Sequence, residues 1–106
     1  MKVKFKLSIE QYYHLLNYLQ NSVFTGLTEL QILNIRTFIK TGLKKLIDLQ
    51  SVYSFNHKKI KTFSVDINQY TAIIADLSNE MQNLHPYILA IFTTLQNQNK
   101  QLLHLN

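Results

Sequence analysis

Residues 3–19 laid over residues 61–77, an offset of 58, align Phe5 with Phe63, Ile9 with Ile67, Gln11 with Gln69, Tyr12 with Tyr70 and Leu19 with Leu77. Leu7/Val65, Ser8/Asp66, Leu15/Ile73 and Leu16/Ile74 agree in physical role as strand core, helix cap and helix core. A chain that writes one strand-to-helix junction twice is expected to fold as two similar units around a shared core. The expected fold class is α+β, mainly helical. It is a duplicated strand-helix-helix arrangement (βααβαα), with a two-stranded ribbon packed on four helices. The chain reads as one domain, 1–106, with pseudo-repeats at about 1–53 and 58–106. The alternative architecture is a four-helix bundle with marginal strands at one end.

Each element has a local reason. Val3, Phe5 and Leu7 alternate with Lys2, Lys4 and Lys6, the period of a half-buried strand. Ser8-Ile9-Glu10-Gln11 has the form of a capping box, with Leu7 and Tyr12 placed as a hydrophobic staple. The helix that follows carries Ile9, Tyr12, Leu15, Leu16 and Leu19 on one face and breaks at Asn21-Ser22 and Gly26. Thr28-Glu29-Leu30-Gln31 repeats the capping form. It opens a second helix to about Leu49, with Ile32, Ile35, Ile39, Leu43 and Leu46 as its core stripe and Gly42 as a weak interior point. Residues 61–65 predict a second strand, Asp66 a third cap, and Tyr70, Ile73, Ile74, Leu77 and Met81 a third helix. His85-Pro86 opens a fourth helix with Ile88, Ile91, Phe92 and Leu95 inside, reaching Leu102 and Leu103.

Composition narrows the function classes. Cysteine is absent, which removes disulfides and thiolate metal sites and agrees with a reducing compartment, so cytoplasmic residence is expected. The amino terminus alternates lysine with apolar residues, so it reads as mature protein and not as a signal peptide. The longest apolar run, Tyr87 to Phe92, is far shorter than the ~20 residues of a membrane span, so no membrane partner is expected.

The sequence has no nucleophile elbow, Gly-rich phosphate loop or paired-His metal motif, so no catalytic, cofactor-binding or metal residues are assigned and the chain is expected not to be an enzyme. Glu10 with His14 has one-turn spacing, but two ligands do not make a metal site. Asp76 and Glu80, also one turn apart, are expected on a solvated face.

What remains is binding. Net charge is +5, and residues 1–53 hold seven of the eleven basic side chains. Lys2, Lys4 and Lys6 share one strand face, and Arg36, Lys40 and Lys44 line one stripe of the second helix. Both sets are candidate nucleic-acid contacts. Each also has a plain structural explanation: edge protection for the strand lysines, a solvated flank for the helix stripe. The leading expectation is a non-catalytic protein-interaction or structural module, with a protein partner or self-association.

The order strand, capped helix, turn, capped helix, with a basic outward strand face over Lys2 to about Leu46, resembles the ribbon-helix-helix family of DNA-binding proteins. The resemblance implies two strands paired antiparallel, with outward side chains in the major groove and the start of the second helix holding phosphate. Here that would set Lys2, Lys4 and Lys6 on DNA and the Thr28 region on its backbone. The alternative function is therefore a ribbon-helix-helix-like transcriptional regulator, formed as a single-chain pseudo-dimer with nucleic acid as partner.

Overall fold

The computed structural model describes residues 1–53 and 56–100. The chain is mainly helical and runs β1 (Lys2–Ser8), α1 (Ile9–Gln20), α2 (Glu29–Tyr53), β2 (Ile60–Asp66), α3 (Ile67–Asn79), a 3₁₀ turn (Met81–Asn83) and α4 (Pro86–Gln98). The two strands pair antiparallel along their whole length, from Lys2 opposite Asp66 to Ser8 opposite Ile60, with Phe5 opposite Phe63 at the centre. One further bond extends the ladder at each end, Ile67 N–H to the Met1 carbonyl and Ile9 N–H to the Lys59 carbonyl.

Alternation decides what the ribbon buries. Val3, Phe5, Leu7, Phe63 and Val65 turn inward, while Lys2, Lys4, Lys6, Thr62 and Ser64 stay exposed. Beneath the ribbon the rings stack in a row. Tyr12 lies on Phe63 at 4.0 Å between centroids and 9° between planes, Phe63 on Phe5 at 5.6 Å, and Phe5 against Tyr70 at 6.5 Å. Burial of each ring is worth about 1.5–3 kcal/mol, so this row anchors the ribbon on the helices.

The junctions form as their sequences predict. Ser8 Oγ accepts from the Gln11 N–H at 3.0 Å while Gln11 Oε1 accepts from the Ser8 N–H at 2.8 Å, a complete capping box. Asp66 caps α3 with one bond, from the Asn68 N–H at 2.8 Å. The box at Thr28 also closes, with Gln31 N–H donating to Thr28 Oγ1 at 3.1 Å.

Three features differ from the sequence reading. The buried face of α2 is Ile35, Phe38, Gly42 and Leu46, while Ile32 and Ile39 are half-buried and Leu43 is exposed. Gly42 is the reason: a Cβ there would meet Leu16 Cδ2 at 2.7 Å and the Tyr12 hydroxyl at 2.8 Å, so its absence lets α2 cross close over α1 and turns Phe38 inward. Phe38 then meets Tyr12 edge-on at 6.1 Å. Second, α3 stops at Asn79, so Met81 falls in the 3₁₀ turn and is half exposed. Third, α2 runs on to Tyr53. The predicted end of α4 at Leu102 and Leu103 lies outside the described residues.

Candidate nucleic-acid interface

The outward face of the ribbon is built by two alternations. Successive side chains point to opposite faces, so Lys2, Lys4 and Lys6 project together at about 7 Å intervals. Across the ladder they face Asp66, Ser64 and Thr62, pairs whose side chains stand close because they lie between the ladder's hydrogen bonds. Lys2 therefore has a carboxylate opposite it, whereas Lys4 and Lys6 face hydroxyls. Beyond Ser8 the ladder bond from Ile9 to Lys59, with that from Glu10 N–H to the His57 carbonyl, brings the exposed Lys58 and Lys59 to the end of the ribbon. His57-Lys58-Lys59 is too short a basic run to mark a site by sequence alone. The antiparallel register, invisible in a short basic run, puts it beside the start of α1.

The second predicted set does not join this face. Arg36, Lys40 and Lys44 are exposed. Their stripe lies roughly 150° around α2 from the buried Ile35, Phe38, Gly42 and Leu46, at about 100° per residue. They form a separate basic surface turned away from the core. The lysine of α2 that does reach the ribbon is Lys45, whose Nζ lies 5.1 Å from the centroid of the Phe63 ring. It shares a hollow of about 190 Å³ with Lys2, Thr41, Gly42 and Ser64. Thr28 sits where α1 turns into α2, and the neighbouring Thr25 carbonyl accepts from Asn79 Nδ2 at 3.1 Å, at the end of α3. The part of α2 beside the ribbon is thus its later half, not its capped start.

Glu10 and His14 line a hollow of about 580 Å³ with Tyr13 and His57. Among the described residues no three His, Cys, Asp or Glu side chains come together to hold a metal ion. His14 instead meets the Tyr87 ring edge-on at 4.8 Å.

Asp76 corrects the sequence reading: it is 0% exposed, not on a solvated face. Its Oδ1 accepts from Ser22 Oγ at 2.9 Å, while among the described residues its Oδ2 and the adjacent Tyr18 hydroxyl are buried without hydrogen-bond partners. Burial holds the Asp76 carboxyl above the usual carboxylate range, Ser22 and Tyr18 pull it back in part, and Glu80 adds to the rise. Burial and the nearby Asp76 and Glu80 charges also raise the Tyr18 phenol. No helix among the described residues is long and apolar enough to cross a membrane. No family model matches the chain, and no curated protein or solved structure matches it either.

Proposed function

We propose that this chain is a non-catalytic, cytoplasmic DNA-binding module that uses the outer face of its ribbon, with Lys2, Lys4 and Lys6 on phosphates. The observation that carries the reading is that these three lysines stand exposed on one face of an antiparallel ribbon whose other face is held by stacked rings. A two-stranded ribbon fits the major groove, and Thr62 and Ser64 add hydroxyl groups able to bond phosphates or base edges.

Three neutralised phosphates imply that log K falls with log[salt] at a slope of roughly −3, about 40-fold between 50 and 200 mM. The test is a titration of labelled random duplex DNA at those two salt concentrations, with wild type beside a Lys2→Glu/Lys4→Glu/Lys6→Glu variant. Salt-sensitive binding lost in the variant supports the reading. Absence of binding at low salt, or equal binding by the folded variant, rejects it.

We include an internal duplication in the proposal. Its support is that the ladder is centred on the corresponding positions 5 and 63, and that the corresponding positions 18 and 76 also meet. A second reading, a protein-binding or self-associating module, is favoured by exposed Leu30, Leu33, Ile47 and Val52 on α2. Light scattering that returns a strict monomer, together with failure to retain any partner, would remove its support.

A further inference from the structure

The ladder has two outer edges, and the molecule treats them differently. Odd-numbered residues of β1 bond across the ladder, so the backbone groups of Lys2, Lys4 and Lys6 point outward on one edge and those of Thr62 and Ser64 on the other. On the β1 edge the Gln98 amide bonds both the N–H and the carbonyl of Lys6, and Asn99 Nδ2 bonds the Lys4 carbonyl at 3.1 Å. These two side chains complete the edge as a third strand would.

On the β2 edge, among the described residues, no partner bonds the outward N–H and carbonyl groups of Thr62 and Ser64. Side chains protect this edge less than the other. β2 has one lysine, the half-buried Lys61, against three exposed lysines on β1, and its exposed Ile60, Thr62 and Ser64 are uncharged. Beside the edge lies the hollow walled by Thr41, Gly42 and Lys45 of α2, floored by Tyr12 and Phe38 and bordered by Lys2. Its lining holds two lysines and no carboxylate.

We infer that the open β2 edge receives an extended acidic segment of another protein, which pairs with the backbone of Thr62 and Ser64 and sets a carboxylate against Lys45. Main-chain bonds would supply the pairing, and side chains on one face of the added strand would supply the choice of partner. The charge argues against a second copy. Pairing β2 with β2 would bring two Lys45 ammonium groups to one interface in an assembly of twice the +5 charge. The inference does not depend on DNA binding by the ribbon's face: Lys2 and Ser64 border both surfaces, but Lys45 and the outward backbone of β2 belong to the edge alone.

The probe is an eight-residue blocked peptide alternating glutamate and valine, titrated into ¹⁵N-labelled protein. The variants are Ser64→Pro, Lys45→Glu and the triple lysine variant. Proline at 64 removes an N–H that makes no ladder bond, so the fold should tolerate it. Expected are shifts at residues 62–64 and 41–45, and at least tenfold weaker binding by Ser64→Pro and by Lys45→Glu. The same peptide with lysine for glutamate should also bind at least tenfold more weakly.

Wild-type affinity in folded Ser64→Pro would overturn the inference. So would shifts confined to Lys2, Lys4 and Lys6 and lost in the triple variant, no binding at millimolar peptide, or light scattering that shows dimerisation through residues 62–64. Should Ser64→Pro not fold, Lys45→Glu decides: unchanged affinity overturns the inference, and a tenfold loss supports it.

Discussion

The two strand-helix-helix halves carry like residues at several positions 58 apart but are completed differently. In the second, the Tyr70 hydroxyl donates to the Leu95 carbonyl at 2.9 Å, and the end of α4 reaches over to close the β1 edge with Gln98 and Asn99. In the first, the corresponding Tyr12 hydroxyl lies against Gly42 with no hydrogen-bond partner among the described residues, and burial pushes its pKa up to about 12. There α2 runs past the ribbon to Tyr53, leaving Lys45 over Phe63 and the β2 edge open. One helix ends at the ribbon and fastens it, and the other passes and leaves room beside it. Two strand-helix-helix segments can thus share a core and still offer different surfaces.

The strongest way to break this comparison is at the ladder's centre. Phe63→Ala and Phe5→Ala should each cost about 3–5 kcal/mol in urea unfolding. Phe63→Ala should be the more severe, because Phe63 contacts the Phe5 and Tyr12 rings and lies beneath Lys45, whereas Phe5 contacts Phe63 and Tyr70. Equal losses would show that the closer Tyr12 stack carries no extra packing.

The next largest effect sits at the far ends of α1 and α3, where position 76 is acidic and position 18 aromatic. The folded-state pKa of Asp76 is raised above its unfolded value. Its contribution is therefore fully present below the ordinary carboxyl pKa of about 4 and is lost as pH rises through the raised value. Wild type should lose stability from acidic to neutral pH through this group. Asp76→Asn should remove that dependence and be more stable at pH 8 by about 1–3 kcal/mol, the cost of an unsatisfied buried group. Thermal melts across pH read both, and an Asn variant less stable at pH 8 would show that the charge is compensated.

Tyr70→Phe should cost about 1 kcal/mol, since it removes a buried hydrogen bond to the Leu95 carbonyl, which keeps its bond from the Asn99 N–H, while Tyr12→Phe should change stability by less than about 0.5 kcal/mol. Identical effects in the two halves would contradict the hydrogen-bond asymmetry. Smallest are the caps. Ser8→Ala should lose about 1 kcal/mol with its reciprocal box, and Asp66→Ala somewhat less with its single bond, as read from denaturant midpoints.

Much of the fold is legible in the sequence because the signals are local. Lysine alternation defines β1, the Ser8-to-Gln11 and Thr28-to-Gln31 boxes start their helices, and Pro86 opens α4. What escapes depends on contact between distant segments. The core face of α2 is set by how closely Gly42 lies over Tyr12 and Leu16, and Asp76 is buried by the turn that brings Ser22 to it. The basic residues show the same division. Lys2, Lys4 and Lys6 are read from strand period alone, but only the strand register brings Lys58 and Lys59 to the end of the ribbon. Only the helix crossing makes Lys45, and not Arg36, Lys40 or Lys44, the α2 cation beside the ribbon.

The most direct measurement is ¹H–¹⁵N shift mapping of the labelled protein during titration with a short random DNA duplex at low salt. If the ribbon's outer face is the binding surface, the amides of Lys2–Ser8 and of Thr62 and Ser64 shift first and recover as salt is raised. Shifts confined to the Arg36, Lys40 and Lys44 stripe, or none at millimolar duplex, would contradict it.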